Sequence, residues 1–577
     1  MSDVANAPAG GSFLLGRVSP DAVQTPERFG EELRLFARTA GQFVEREYAP
    51  VAALVEGLDY DTSRALLLKA GGLGLLALDI PEEYGGLGQS KTASMLVTEK
   101  LAQTGSFNVT YNAHVGIGTL PLVYFGSREQ KRRFLPGLAS GETVAAYCLT
   151  EEGSGSDSRA ARTTAVPDGD SFVLNGSKMW ISNAGFADLF TVFAQLEGHG
   201  FTAFLVERGT EGLSLGAEEH KMGIRGSSTR RVILDNARIP ASNLLGVPGK
   251  GHHIAFSILN IGRLKLAAGA IGGARQMLGL AAAYARDRRQ FGVPIGSFGL
   301  IKEKLGDMQA AAFALESAVY RVSGDLDRRL AGLTDQAAVL AGLDEYVVEY
   351  SFIKVFGSEI LDGIIDETLQ IFGGNGFSAE YPVEAAYRNS RINRIFEGTN
   401  EINRLLTAGQ LLKRAQAGRL DLQGAVRGAL ASGPVTGSAG FAVELQPADA
   451  AVQGMKRAAL VVAGSAVQAW GEAVEQEQEV MARVADMVGL AYLAESALLR
   501  AQSAGAPAAL SGMARLYALA GLDRARLSAA GALRRIPGGQ GRLAALGDLL
   551  PEHGVDLVAI RRGLADMALE RGGYLAG

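Results

Sequence analysis

The chain has 577 residues, about four domain-sized units, and its 47% hydrophobic and 20% charged side chains exclude global disorder. A net charge of −5 excludes a general electrostatic attraction to nucleic acid or anionic membranes. A single cysteine, Cys148, excludes an intrachain disulfide and fits a reducing compartment, and six histidines without HExxH or CxxC spacing lead us to expect no metal site.

The opening stretch "MSDVANAPAGGSFLLG" carries Asp3 and no Lys or Arg before Arg17, unlike a secretory signal. Apolar stretches such as "AALVVAGSAVQAWG" fall short of the roughly 18 apolar residues a membrane-spanning helix needs. A cytoplasmic protein is expected. From about residue 27 to 145 the apolar positions recur every three or four residues, as in "ERFGEELRLFARTAGQFVEREY", which predicts helices. Near residue 146 the texture changes: "SFVLNGSKMWISN", "ADLFTVFAQL", "FTAFLVE" and "RRVILDNARIP" predict strands of a sheet of roughly 100 residues. From about residue 250 long helical patterns return, and "DEYVVEYSFIKVFGSEILDGIIDETLQIF" runs into the helix stop "GGNG". Gly, Ala, Ser and Pro then dominate ("GALASGPVTGSAG"), predicting a linker before a further helical unit that begins near "MKRAALVVAGSAVQAW".

This reading gives an α+β chain with five segments: an N-terminal helical domain (1–145), a middle β-barrel or sheet domain (146–248), a helical bundle (249–412), a linker (413–450) and a C-terminal all-α domain (451–577).

Four segments place polar and glycine positions inside apolar surroundings. "AAYCLTEEGSGSDSRA" (145–160) offers accessible backbone N–H groups with the hydroxyls of Thr150 and Ser156, suited to a polar heterocycle or a phosphate-bearing ligand. "NGSKMWISNAG" (175–185) is a hairpin signal with Trp180 in the strand behind it. "YARDRRQFGVPI" (284–295) puts Arg288 and Phe291 at a helix end, where an arginine can pair with a pyrophosphate. The fourth, "QIFGGNGFSAEYPVEAAYRNSRINRIFEGTNEI" (370–402), sets Glu397 between the apolar pair Ile395-Phe396 and Gly398-Thr399, with Thr399 or Asn400 able to cap the next helix. Singly, these are also what an ordinary loop, a core tryptophan, a solvated arginine and an N-terminal carboxylate look like.

In this order and at these separations the four segments resemble the acyl-CoA dehydrogenase family, over about residues 30 to 410. "YCLTEEGSGSD" and "QIFGGNG…RIFEGTNEI" are similar to its two signatures, and "KMGIRGSSTRRVILDNARIP" with the extra C-terminal module is most similar to the very-long-chain branch. The resemblance implies bound FAD and desaturation of an acyl-CoA at Cα–Cβ, with electrons passed to electron-transfer flavoprotein. It makes Glu397 the base for the α-proton, a task for which desolvation by Phe396 and the acyl chain would strengthen a carboxylate. It assigns Leu149, Thr150, Trp180 and Ser182 to the isoalloxazine and Thr399 and Glu401 to contacts just after the base. It assigns Arg288, Phe291, Gln370 and Gly374 to the adenosine pyrophosphate of a neighbouring subunit's FAD. Ser156, Gly262 and Arg263 match substrate-side positions. Some branches carry the base at the position of Gly262, where no carboxylate stands here. A homodimer is expected, with no nucleic acid and no stable membrane anchor.

Two departures accompany the resemblance. Glu152 stands where the family signature has Pro, adding charge beside the site, and "GPVTGSAGFAVELQPADA" has no Lys or Arg where mitochondrial relatives carry a basic membrane-binding segment. Two other functions fit the same fold, an acyl-CoA oxidase and a non-catalytic assembly or DNA-binding relative. The balanced C-terminal charge, 17 basic against 15 acidic residues from 411 to 577, argues against DNA binding.

Overall fold

The structure is a computed structural model that describes residues 7–576. It divides into a sheet unit, residues 30–265 with 333–344, and a helical unit, residues 266–332 with 345–576 and the described residues up to Phe29.

In the sheet unit the helices start where polar caps allow. Asp59 accepts from the Thr62 N–H ahead of Tyr60–Gly72, Ser90 from Ala93 ahead of Lys91–Leu101, and Ser127 forms a reciprocal capping box with Gln130 ahead of Arg128–Ser140. Eight strands follow: β1 (Ala145–Cys148), β2 (Thr164–Asp168), β3 (Ser171–Ser182), β4 (Leu189–Leu196), β5 (Gly200–Glu207), β6 (Leu213–Glu218), β7 (Thr229–Pro240) and β8 (Leu244–Leu245). They order as β6-β7-β3-β2-β4-β5-β8, with β1 parallel to β4. Strands β4 and β5 are almost continuously apolar and buried, the pattern of strands covered on both faces. Phe190, Val192, Phe204 and Val206 there share one core with Phe43 and Phe107 of the preceding helices.

His114 ties the helices to the sheet. Its Nδ1 accepts the Ala145 N–H of β1 at 3.1 Å, which leaves Nε2 to donate to the Leu138 carbonyl at 2.9 Å. Burial pushes this imidazole down to about 4.

The longest helix, α1 (Gly251–Asp287), corrects the expectation that no segment is apolar and long enough to span a bilayer. Its length and composition would allow a crossing, yet 78% of its most apolar window is buried inside the protein. The other main helices of the helical unit are α2 (Gly299–Leu330), α3 (Val347–Phe372), α4 (Asn400–Gln416), α5 (Leu422–Ala431), α6 (Gln446–Trp470), α7 (Gln478–Ser503), α8 (Ala508–Arg535) and α9 (Leu557–Arg571). Helix α5 falls within the segment read as a linker: Asp421 caps it through the Gly424 N–H, and its alanine-rich run is helix-forming once docked on α6.

The C-terminal helices and the bundle form one compact body, and the described residues up to Phe29, read from sequence as part of the N-terminal helical domain, cluster with it. The reason is a set of buried polar anchors. The Gly10 N–H donates to Glu345 at 2.9 Å and the Gly11 N–H to Glu349 at 2.7 Å; a Cβ on Gly10 would collide with the Glu345 carbonyl. Phe13 packs edge-on against Tyr492 of α7. Arg500, wholly buried on α7, pairs with Glu316 of α2 at 2.6 Å and with Glu27, while the Tyr574 hydroxyl donates to Glu316 at 2.6 Å.

Arg500→Ala would remove one of the two arginines that hold the buried Glu316 carboxylate, leaving Arg275 and Tyr574 on it, and would open a cavity on α7; a loss of about 2–4 kcal/mol is expected, read as a lower urea midpoint. His114 gives a pH signature. The unfolded imidazole takes its proton near 6.5 and the folded one near 4, so stability is retained above 6.5 and falls as pH drops from 6.5 towards 4. Melting curves across that range are expected to flatten in His114→Gln.

Candidate active site

In the sheet unit, a parallel chain path brings β1 alongside β3. The Met179 N–H donates to the Thr150 carbonyl at 2.8 Å, and Lys178 Nζ donates to the Leu149 carbonyl at 3.2 Å. Leu149 and Thr150 thereby lie against Lys178 and Met179, directly before Trp180, while Ser182 follows on β3 opposite Thr229 of β7. The β3–β7 ladder slips between Lys178 and Ile181, and this bulge decides which side chains face in. Lys178 is fully buried and pairs with Glu151 at 2.7 Å, whereas Trp180 is 52% exposed with φ 61°. Glu151 also accepts from the backbone of Arg162 and Thr163 and from the Thr163 hydroxyl. Burial raises its carboxyl, but these bonds and Lys178 outweigh that and hold it below the ordinary range.

Glu151 and Ser154 exchange backbone hydrogen bonds around a tight turn, so Ser156 just beyond is exposed. Glu152, at the turn itself, has an 80% exposed side chain and stands 3.8 Å from Arg231. Its charge is solvated, and the turn the absent Pro would have stiffened is closed by Glu151 and Ser154. On α1, Gly262 and Arg263 are buried, and Arg263 donates to the Asn260 side chain at 2.8 Å. Asn260 and Ser257 both donate to Asp344 at 3.0 Å, whose carboxyl is raised by burial.

In the helical unit, Tyr284 near the end of α1 stacks on Phe372 at 4.0 Å, and the Asn375 side chain donates to the Tyr284 hydroxyl at 2.9 Å. This holds the end of α1 against the end of α3, and Arg288, Phe291, Gln370 and Gly374, which flank these contacts in sequence, are all exposed. Phe291 (φ 53°) and Gly292 (φ 83°) are the paired positive-φ residues of a two-residue hairpin turn, where Asn-Gly is usual. Phe291 is 93% exposed and meets the Phe298 ring edge-on at 6.1 Å, so little packing offsets its backbone strain.

Glu397 has φ 57° and Gly398 φ 81°, two consecutive left-handed residues, of which only the glycine is at ease. The turn is held from behind. Lys354, buried on α3, donates to the Gly398 carbonyl at 2.8 Å and to Asn400 at 2.9 Å. The buried Asn403 amide reaches the carbonyls of Glu397, Gly398 and Thr399 at 3.3, 2.8 and 3.1 Å. Thr399 caps α4 through the Ile402 N–H at 3.3 Å. Glu397 is half-buried with a buried Oε2, and Glu401 is exposed in the first turn of α4.

Trp180, Phe291 and Glu397 are thus three of the non-glycine residues with positive φ among the described residues, and strain of that kind gathers at functional sites. Family models for the acyl-CoA dehydrogenase N-terminal, middle and C-terminal domains match residues 30–142, 146–237 and 249–412, and a second C-terminal-domain model matches 454–546. The chain belongs to the acyl-CoA dehydrogenase family. It is 49% identical over 511 residues to a probable acyl-CoA dehydrogenase of Bacillus subtilis, covering 87% of this chain and 86% of that one. It is 43% identical over 350 residues to the human mitochondrial very long-chain specific enzyme, covering 59% of this chain and 52% of the relative. A crystal structure of an acyl-CoA dehydrogenase from Bacillus anthracis complexed with FAD superposes with a TM-score of 0.95 at 42% identity, over 99% of this chain and 100% of that one.

Sequence reasoning missed Lys354, Asn403, Lys178 and Glu151 as supports of the site. A lone lysine in the apolar run "SFIKVF" was the one signal available for Lys354. The left-handed turn at Glu397 predicts a stability effect of its own. Glu397→Gly is expected to raise the unfolding free energy by about 1 kcal/mol, because glycine tolerates positive φ, while Glu397→Gln leaves it unchanged. Thermal melts of the two variants check this.

Proposed function

We propose that this acyl-CoA dehydrogenase-family protein converts long-chain acyl-CoA thioesters to trans-2-enoyl-CoA, with Glu397 removing the α-proton. The observation that carries the reading is the half-buried carboxylate on a left-handed turn pinned by Lys354 and Asn403. A base must keep its direction through the reaction, and a strained turn with three tethered carbonyls does that without relying on the substrate.

The residues present fit FAD. Trp180 offers an exposed aromatic face beside Thr150 and Ser182, and a Cβ on Gly374 would meet nothing within 4 Å, leaving its backbone open to a diphosphate. Leu149, Thr150, Trp180 and Ser182 would hold the isoalloxazine. Thr399 and Glu401 would touch the cofactor beside the base, and Arg288, Phe291, Gln370 and Gly374 would take the adenosine pyrophosphate belonging to a second copy. When bound, FAD supplies the acceptor for the β-hydride.

The chain's own part is proton removal and charge stabilisation. Glu397 takes the α-proton, and the Glu397 backbone N–H donates to the thioester oxygen, where enolate charge gathers. Ser156, Gly262 and Arg263 line the substrate side. The small Gly262 and the likeness to very long-chain enzymes support a long acyl chain. Electrons then pass to electron-transfer flavoprotein. The exposed rings of Phe291 and Phe377, 93% and 84% accessible, support assembly as a homodimer.

Anaerobic palmitoyl-CoA is expected to bleach the yellow flavin rapidly, and Glu397→Gln to slow bleaching about 10²- to 10⁴-fold. A flavin that bleaches only with short acyl-CoAs would overturn the chain-length assignment. Oxygen uptake on adding substrate without a flavoprotein acceptor would reassign the protein as an oxidase.

A further inference from the structure

The sheet unit carries a buried ion pair that proton removal at Glu397 does not use. Lys178 of β3 has a fully buried side chain, and that of its partner Glu151, in the loop after β1, is 9% exposed. Such a pair gains little stability over apolar side chains of similar size, so stability alone does not account for a lysine at this position.

Lys178 does more than neutralise Glu151. Besides its 2.7 Å bond to that carboxylate, the ammonium donates to the Leu149 carbonyl at 3.2 Å. The Leu149–Thr150 peptide is trans, so its carbonyl and its N–H point in opposite directions. The lysine therefore holds one end of the peptide, and the Thr150 N–H at the other end points away from it. That N–H has no acceptor among the described residues, whereas the Thr150 carbonyl is fixed by the Met179 N–H at 2.8 Å. A cation on the carbonyl polarises the peptide and makes its N–H a stronger donor.

The ionisable groups around Lys178 keep this arrangement charged. Glu151 accepts the N–H groups of Arg162 and Thr163 and the Thr163 hydroxyl as well as the ammonium, and it stays ionised. Cys148, the last residue of β1, is a neutral thiol that burial pushes up to about 12. Burial lowers the Lys178 ammonium, and Glu151 counters that. Two residues on, across the bulge in the ladder, Trp180 is turned outward. Hydride uptake brings two electrons and one proton and leaves an isoalloxazine ring negatively charged, so fixed charges beside the ring set how readily it is reduced.

We propose that Lys178 is a positioning residue for the flavin, raising the reduction potential of bound FAD by acting through the Leu149–Thr150 peptide and by offsetting Glu151. The proposal rests on the FAD reading, which assigns Leu149 and Thr150 to the isoalloxazine, and deepens it.

The test is a redox titration of the FAD-loaded protein against a dye of known potential. Lys178→Met leaves the Glu151 carboxylate without its cation. It is expected to shift the equilibrium about tenfold towards oxidised flavin, ~30 mV lower for two electrons. Glu151→Gln/Lys178→Met removes both charges and is expected to recover at least half of that shift, although both anchors are gone. A lysine that only braced the loop would give the reverse order, with the double variant furthest from wild type. An unchanged potential in Lys178→Met, or a double variant at or below it, would overturn the proposal. Should Lys178→Met not retain FAD, Glu151→Gln at pH 6 decides: an unopposed ammonium is expected to raise the potential, and a value at or below wild type would overturn the lysine's role. Wild-type protein that takes up no FAD would sink both readings. Wild-type flavin that palmitoyl-CoA bleaches, with Lys178→Met at the wild-type potential, would remove the lysine's role alone.

Discussion

Everything proposed for this protein's chemistry depends on one backbone conformation, the left-handed pair Glu397-Gly398. For a residue with a Cβ that conformation costs about 1–2 kcal/mol, so it persists only where the surroundings over-determine it. Here they do. Lys354 approaches from α3, the Asn403 amide approaches from inside α4, and the Thr399 hydroxyl closes the first turn of that helix. Three tethers on four consecutive residues fix the backbone from which the Glu397 side chain projects. The buried lysine is an expensive means to that end, and its amine is satisfied by the turn carbonyl and Asn400.

Positive φ recurs at two other large side chains. Trp180 is turned outward by a bulge in the β3–β7 ladder, and Phe291 occupies a hairpin position better suited to asparagine. Both large rings are strained and exposed at once, so neither is explained by packing within the described chain. Behind Trp180 the buried Glu151–Lys178 pair locks the loop to the strand, as Lys354 locks the turn at Glu397. In each case, within its own unit, a buried charge fixes the backbone beside a strained side chain.

Buried charge also explains why the C-terminal helices and the bundle behave as one body. Arg500 with Glu316 and Glu27, and Glu495 with Arg321 and Lys456, join helices far apart in sequence and draw in the arm before Phe29. Such pairs add little net stability over an apolar substitute, but they admit one register and penalise every other. That suits a chain whose long alanine- and glycine-rich helices offer few large side chains to specify how they pack.

The sequence by itself determined the succession of helices, sheet and helices, because hydrophobic period and turn residues are local properties. It also marked Glu397 as a carboxylate in an apolar context, while Trp180, Arg288 and Phe291 were assigned roles by resemblance to the family's segments rather than by their local pattern. Only the tertiary structure decided what holds them. Lys354 lies 43 positions before Glu397 and Asn403 six after it, and nothing in their local sequence states that both face one turn. The bulge that sends Lys178 inward and Trp180 outward breaks the alternation on which strand reading depends. The arm before Phe29 and helix α5 likewise took their places from partners distant in sequence, Glu345, Glu349 and α6, which no local pattern encodes. Local pattern is written residue by residue, whereas a tether belongs to a pair, and the pair exists only once the chain has closed on itself.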